Sequence, residues 1–167
     1  LQPVLQAAEP RAGCRCSAGL TMPALWQITF GLALMAATTA LHAGAILVML
    51  GPVRRRLTVL HPLGSLKLEI ATLCAAVLAL ALLHIGEAVV WAACFDRLGA
   101  VDGMADAFYF TLVTLTTLGY GDIVPDAPFR LVAGLCALTG LMATGMTTAS
   151  LIELLRRFAA HRIGEAG

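Results

Sequence analysis

The stretch "TLTTLGYGDIVP", Thr114 to Pro125, lies between two long apolar runs and decides how the rest of the chain is interpreted. Two threonines precede a Gly-Tyr-Gly triplet, and an aspartate follows it. Irregular backbone survives at membrane depth only where it is buried in protein or lines a water-filled path. Gly119 and Gly121 can adopt positive φ without penalty, so the segment can alternate between left- and right-handed conformations.

Such an alternation turns successive carbonyl groups toward one side of the strand. Residues 117–120 then offer a ladder of carbonyl oxygens, with the Thr117 hydroxyl below it. A row of oxygens without a carboxylate suits a monovalent cation better than calcium. Because one strand cannot surround an ion, the pattern predicts that several chains meet on an axis.

The flanking sequence is typical of a membrane protein. The chain of 167 residues is 59% hydrophobic, with a mean hydropathy of +0.87, which is too apolar for an ordinary soluble domain. Three apolar runs exceed the roughly 20 residues that cross a bilayer, and a fourth, 105–118, is short enough for a re-entrant helix. The predicted fold is an all-α membrane protein with three transmembrane helices, plus a re-entrant helix and an irregular loop between the second and the third.

The predicted organisation has five parts. They are a disordered leader or external tail (1–21), an N-terminal transmembrane helix (22–50), a basic cytoplasmic loop (51–67), a second helical domain (68–155) and a short cytoplasmic tail (156–167). The second domain contains an outer helix (68–95), a re-entrant helix with the loop that follows it (105–122) and an inner helix (129–155). Met22 is a candidate for the true start of the protein; a genuine external tail and a cleaved signal peptide are the alternatives.

The placement of basic residues predicts the orientation. Three consecutive arginines and Lys67 lie between the first two apolar runs, and "RRFAAHR" follows the third. The positive-inside rule places both segments in the cytoplasm and the N-terminus outside, together with the acidic segment 96–128. A single lysine among 11 basic residues indicates a GC-rich bacterial gene, and therefore an inner-membrane protein. A net charge of +1 gives no reason to expect nucleic acid as a partner.

The segment "TTLGYGD" resembles the selectivity filter of potassium channels, whose usual form has valine in place of Leu118. The resemblance covers roughly half the chain, from Leu68 to about Leu155, and implies that 68–155 is a pore domain in which 105–122 forms the pore helix and the selectivity-filter loop. It implies a homotetramer in lipid that conducts K⁺ passively, without a cofactor and without enzymatic activity. It also implies the residues that coordinate K⁺, with the last completing the outer mouth: Thr117, Leu118, Gly119, Tyr120 and Gly121.

The resemblance further implies how the filter is supported. Asp122 anchors it from behind, Tyr109 can offer Asp122 a hydroxyl, and Thr116 stands where the pore helix ends. Two residues that differ from those usual in the family weaken this support. Phe110 cannot bond the Tyr120 hydroxyl as a tryptophan would, and Val113 stands where some relatives carry a buried glutamate.

In the inner helix, Gly140 falls at the position of the family's hinge glycine. Leu141, Thr144 and Thr148 fall where the family lines its cavity, and their spacing puts them on one helical face. Close helix packing is the alternative role for Gly140. If four inner helices converge near Ile152, a narrow apolar ring there can close the path by dewetting.

Two ionisable residues lie inside the second apolar run. His84 and Glu87, three positions apart, share one face, and an intramembrane glutamate indicates function and needs a partner. A bond from Glu87 to the pore helix or filter loop is the favoured prediction, with no metal beyond K⁺. His42 is predicted to be a packed polar residue or to bond a neighbouring helix. The alternatives to a channel are a non-conducting regulatory subunit and an intramembrane metal protein or enzyme centred on His84 and Glu87.

Overall fold

The computed structural model of the protein describes residues 24–59 and 66–165, so the predicted leader lies outside the described residues. Within these ranges the structure contains no strand, which confirms the all-α prediction. Its elements are α1 (Ala24–Val59), α2 (Leu66–Arg97), α3 (Met104–Leu115), a short 3-10 helix (Ala127–Phe129) and α4 (Arg130–Glu165).

The helices α1, α2 and α4 are long and apolar enough to cross a membrane, whereas α3 has only 12 residues. Helix α1 continues nine residues beyond the predicted end of the first span, and α4 continues to Glu165. These extensions enter the segments predicted as the basic loop and the tail. Arginine is a good helix former, so a helix can leave the apolar span and continue in the basic segment that follows it.

Two apolar clusters hold the helices together. The first joins α2, α3 and α4, and the edge-to-face contact of the Phe95 and Phe110 rings, 5.2 Å between centroids, lies within it. The second joins α2 and α4 toward the other end, through Ala76, Leu154 and Phe158. Phe30 and Met49 of α1 pack against the first and second clusters respectively, so α1 is part of the bundle.

The C-terminal end of α3 lies directly on α4. A Cβ atom added to Gly140 would stand 2.6 Å from both the Cα and the carbonyl carbon of Leu115. Only glycine permits this approach, because the obstructing atoms belong to backbone and cannot rotate away. Close packing is therefore a role that the structure gives Gly140. A Cβ atom added to Gly145, in contrast, would meet no other atom within 4 Å.

Candidate functional site

The loop that follows α3 begins with a Schellman motif. The N–H of Leu118 donates to the carbonyl of Val113 at 2.9 Å, and the N–H of Thr117 donates to the carbonyl of Thr114 at 3.0 Å. The Gly119 N–H also donates to the Val113 carbonyl, at 3.2 Å. These bonds satisfy the last carbonyl groups of the helix and fix the direction in which the loop leaves it. The helix ends at Leu115 with Thr116 as its C-cap, one residue from the predicted end.

Positive φ angles then occur at every second residue. Thr117 has φ +57°, Gly119 has φ +57° and Gly121 has φ +76°, whereas Leu118 and Tyr120 between them are not in the left-handed region. The structure thus confirms the alternation of backbone handedness predicted for this loop. That alternation is the condition for pointing successive carbonyl groups to one side.

Thr117 is the exception among the three. Threonine is β-branched, and a left-handed conformation costs such a residue about 1–2 kcal/mol, whereas glycine or asparagine would cap the helix at no such cost. Thr117 is the only non-glycine residue with positive φ among those described. Strain of this kind is characteristic of functional sites, where the side chain serves a purpose other than local stability.

The loop is open toward the surroundings. Leu118 is 56% exposed and Tyr120 is 67% exposed, so the same chain does not cover them. Behind the loop, the Tyr109 hydroxyl donates a hydrogen bond of 2.7 Å to Asp122 Oδ2, as the sequence predicts. Asp122 Oδ1 accepts the N–H of Ile123 at 3.0 Å. The Tyr109 hydrogen bond lowers the pKa of the Asp122 carboxyl below its ordinary value.

The predicted cavity residues share one exposed face of α4. Leu141 is 60% exposed and Ile152 is 52% exposed, and Thr144 and Thr148 between them are exposed as well. The Thr148 hydroxyl donates back to the Thr144 carbonyl at 2.9 Å, which satisfies it within its own helix. The single chain therefore presents this face without covering it.

A second polar site lies between the two apolar clusters. His42 Nδ1 is 2.9 Å from Glu87 Oε1, and His84 Nδ1 is 3.6 Å from Glu87 Oε2. His42 and Glu87 are buried, and His84 is 34% exposed. The bond predicted from Glu87 to the pore helix or filter loop is wrong. The partner is His42 of α1, because α1 packs close enough to present its histidine to α2. His42 fulfils both alternatives stated for it, since it is packed and bonds a neighbouring helix.

The same site includes Thr147 of α4, which the sequence analysis missed. Its hydroxyl lies 3.1 Å from His42 Nε2 and 3.0 Å from His84 Nε2. His42 carried a signal, because an ionisable residue inside an apolar span needs a partner. Thr147 carried none, since threonine in an apolar helix commonly bonds its own backbone. His42 joins His84 and Glu87 as a third residue that could hold a metal ion, whereas the sequence predicted no metal beyond K⁺.

The comparison with known families supports an ion channel. Residues 73–157, which include α3, the loop and most of α4, match the ion channel family. The chain belongs to this family. Together with its apolar helices, the family assignment makes it a multi-pass membrane protein, in which α1 lies outside the matched region as an added helix.

Several curated potassium channels are similar over short segments. The potassium voltage-gated channel protein shk-1 of Caenorhabditis elegans is 40% identical over 53 residues, covering 31% of this chain and 10% of its own. Potassium voltage-gated channel protein Shal of Drosophila melanogaster is 38% identical over 52 residues, covering 30% of this chain and 9% of its own. Two-pore potassium channel 1 of Arabidopsis thaliana is 46% identical over 44 residues (26% and 12%). The chain thus spans about a tenth of the length of these relatives. No solved structure gives a significant match.

Proposed function

We propose that the protein is a potassium-selective channel whose filter is built from "TTLGYGD" and which conducts K⁺ passively. The observation that carries the proposal is the alternation of positive φ at Thr117, Gly119 and Gly121 in a loop that begins at the end of a short helix. In this geometry the carbonyl groups of residues 117–120 can replace the hydration shell of a potassium ion. The similarity to potassium channels from three organisms supports the choice of ion.

The strained conformation of Thr117 supports the same assignment. A residue that served only to cap α3 would be glycine or asparagine. Threonine adds a hydroxyl at the lower end of the carbonyl ladder, where it can act as a further oxygen ligand. The strain at Thr117 is then the cost of keeping that oxygen in place.

The open faces of the chain support assembly around an axis. The loop and the stripe formed by Leu141, Thr144, Thr148 and Ile152 are both exposed in the single chain. We propose that four copies meet with these surfaces facing a common pore, because the filter of this family is assembled from four loops. The remaining exposed apolar surface of α1 and α2 then faces lipid.

The arginine distribution supports an orientation with the N-terminus outside and the C-terminus in the cytoplasm of a bacterial inner membrane. In this orientation the loop containing Asp122 faces the exterior and the end of α4 faces the cytoplasm. Fluorescent labelling of single cysteines introduced at Asp102 and at Arg156, in a chain whose five native cysteines are replaced by serine, with an impermeant reagent on intact cells, tests it. Labelling at position 156 and not at position 102 would show that the orientation is the opposite one.

The function is tested by ion flux. The purified full chain, reconstituted in liposomes, should carry K⁺ and Rb⁺ and exclude Na⁺, whereas empty liposomes carry none. A chain that inserts and forms tetramers but carries no K⁺ would instead fit the non-conducting regulatory subunit. Equal K⁺ and Na⁺ flux would contradict the filter assignment.

We further propose that Ile152 forms an apolar gate at the lower end of α4. Replacing Ile152 with serine should wet the constriction and raise the resting K⁺ flux, because a narrow apolar ring closes a pore by excluding water. The liposome assay measures this directly, with Met142→Ser as the control, because Met142 is an exposed apolar residue of α4 that lies off the proposed pore-facing stripe. Unchanged flux in Ile152→Ser would place the gate in the filter.

A further inference from the structure

The site formed by His42, His84, Glu87 and Thr147, named here the polar cluster, joins three helices at the middle of the bundle. It is a closed ring of four contacts: Glu87 to His42, His42 to Thr147, Thr147 to His84 and His84 to Glu87. Neither the carbonyl ladder nor the proposed gate uses any of these residues. Apolar clusters lie on both sides, so the ring is secluded from bulk water except at His84.

The ring has fewer hydrogen atoms than contacts when Glu87 is ionised and both histidines are neutral. Four contacts require four hydrogen atoms, whereas two neutral imidazoles and one hydroxyl supply three, and an ionised Glu87 supplies none. At least one contact between a histidine nitrogen and the carboxylate therefore lacks a hydrogen. The longest contact of the ring, 3.6 Å between His84 Nδ1 and Glu87 Oε2, has the length expected for it. A cation is the missing component.

The position of Thr147 favours a metal ion as that cation. Its hydroxyl oxygen has two lone pairs and lies 3.1 Å from His42 Nε2 and 3.0 Å from His84 Nε2, so it can accept an N–H from both rings. In that arrangement both Nδ1 atoms present lone pairs toward the Glu87 carboxylate. Fixing the far nitrogen of each imidazole by a hydrogen bond is the usual way in which proteins hold histidine ligands of a metal.

We propose that the polar cluster binds a divalent transition metal ion, with Zn²⁺ as the best-fitting ion, through His42 Nδ1, His84 Nδ1 and the Glu87 carboxylate. The ligand atoms of these three residues lie within 4.8 Å of one another. Ligands of tetrahedral zinc stand about 3.4 Å apart at bond lengths near 2.1 Å. The separations of 2.9 Å and 3.6 Å between the histidine Nδ1 atoms and the Glu87 carboxylate oxygens lie on either side of that value, so these ligands are already close to the spacing that the ion needs.

A fourth ligand and an entry path are also available. A cavity of about 330 Å³ beneath the pore helix is lined by His84, Glu87, Thr116 and Thr144. Water in this cavity can complete the coordination, as in zinc sites with three protein ligands. Imidazole donors select against Mg²⁺ and Ca²⁺, which prefer oxygen. The bound ion would join α1, which lies outside the family match, to α2, and Thr147 would connect both histidine ligands to α4.

Metal analysis of the purified full chain tests the proposal. After chelator treatment, incubation with ZnCl₂ and desalting, the parent should retain about one Zn²⁺ per chain, as expected for a site with three protein ligands. Mg²⁺ should not compete. His42→Ala and His84→Ala should lose the bound metal, whereas Cys74→Ala, which removes an exposed thiol on α2, should retain it. Co²⁺ loaded in place of Zn²⁺ should give the visible absorption of a tetrahedral complex.

Thr147→Val provides the variant that keeps all three ligands. It should retain the stoichiometry but weaken Zn²⁺ affinity about 10- to 100-fold, and Thr147→Ser should restore it. The proposal is overturned if the parent retains no Zn²⁺, because a proton then completes the ring. It is also overturned if His42→Ala binds as much Zn²⁺ as the parent, because the metal is then adventitious. Size-exclusion profiles separate loss of ligand from loss of fold. Because metal content is measured without ion flux, the result is independent of whether the protein conducts.

Discussion

The loop formed by residues 116–122 and the polar cluster differ in how far a single chain surrounds their polar groups. All residues of the loop, 116–122, are exposed in the single chain, and in the proposed channel other copies of the chain and a K⁺ ion would surround them. The polar cluster is mostly buried, with His84 partly exposed, and it closes on itself within one chain, through three helices. If the loop forms the proposed filter, its stability depends on assembly, whereas the contacts of the cluster all lie within one chain. Substitutions in the two regions should consequently separate conduction from stability.

The largest expected effect is on conduction, from Gly121→Ala. A side chain at φ +76° disfavours the left-handed conformation, so the carbonyl ladder should be distorted. We expect K⁺-selective liposome flux to be lost while membrane insertion and the thermal stability of the subunit persist. Gly134→Ala is the matched control, because Gly134 is helical and a Cβ there meets nothing within 4 Å. Normal selective flux in Gly121→Ala would refute the filter assignment.

The second effect is on stability, from Glu87→Leu. This change removes the carboxylate oxygen that contacts His42 Nδ1 and leaves that buried nitrogen without its hydrogen-bond partner, which costs about 1–3 kcal/mol. Glu87→Gln keeps an acceptor oxygen and should lose much less. Thermal unfolding in detergent measures both, and tetramer dissociation on gels provides a second readout. If all three proteins unfold alike, the polar cluster does not stabilise the subunit and the contrast with the loop fails.

Gly140→Ala tests the point where the two regions meet. The added methyl group would collide with the Leu115 backbone at the end of the pore helix, and overpacking of this kind costs about 1–3 kcal/mol. Both stability and K⁺ flux should fall, because the loop starts from the displaced helix end. Gly145→Ala, which meets open space on the same helix, should be neutral or slightly stabilising. A loss of flux with unchanged stability would indicate the gating bend instead.

The sequence predicted the loop better than the cluster for a physical reason. The loop is a local motif, in which the backbone conformation of Gly119 and Gly121 follows from residue type and the Tyr109–Asp122 hydrogen bond spans only 13 positions. The polar cluster joins residues 45 and 63 positions apart. Its existence depends on how α1 packs on α4, and no residue pattern in an apolar helix specifies its neighbour.

Gly140 is a second case in which the sequence did not identify a contact between helices. Its position in the inner helix suggested both a hinge and a packing contact, and residue type alone cannot distinguish them. The decisive fact is the approach of the Leu115 backbone, which belongs to another helix. The helix ends were also predicted less well than the spans, because the apolar runs mark where lipid ends and not where the helical hydrogen bonds of α1 and α4 end.

The smallest expected effect comes from Tyr109→Phe, which removes one exposed hydrogen bond behind the filter. Because the Tyr109 hydroxyl lowers the pKa of Asp122, the carboxylate form is the one that the bond stabilises. The contribution should be present above the ordinary aspartate pKa of 3.8 and should disappear as the external pH falls below it through the lowered value. We expect Tyr109→Phe to leave insertion and initial K⁺ flux unchanged but to make the flux decay sooner at neutral pH, since Phe110 and Val113 offer the filter no substitute. In the parent, acidification of the external solution should produce the same decay, and in Tyr109→Phe it should add little. A variant that decays like the parent at neutral pH would show that the other contacts of the loop suffice to hold the filter.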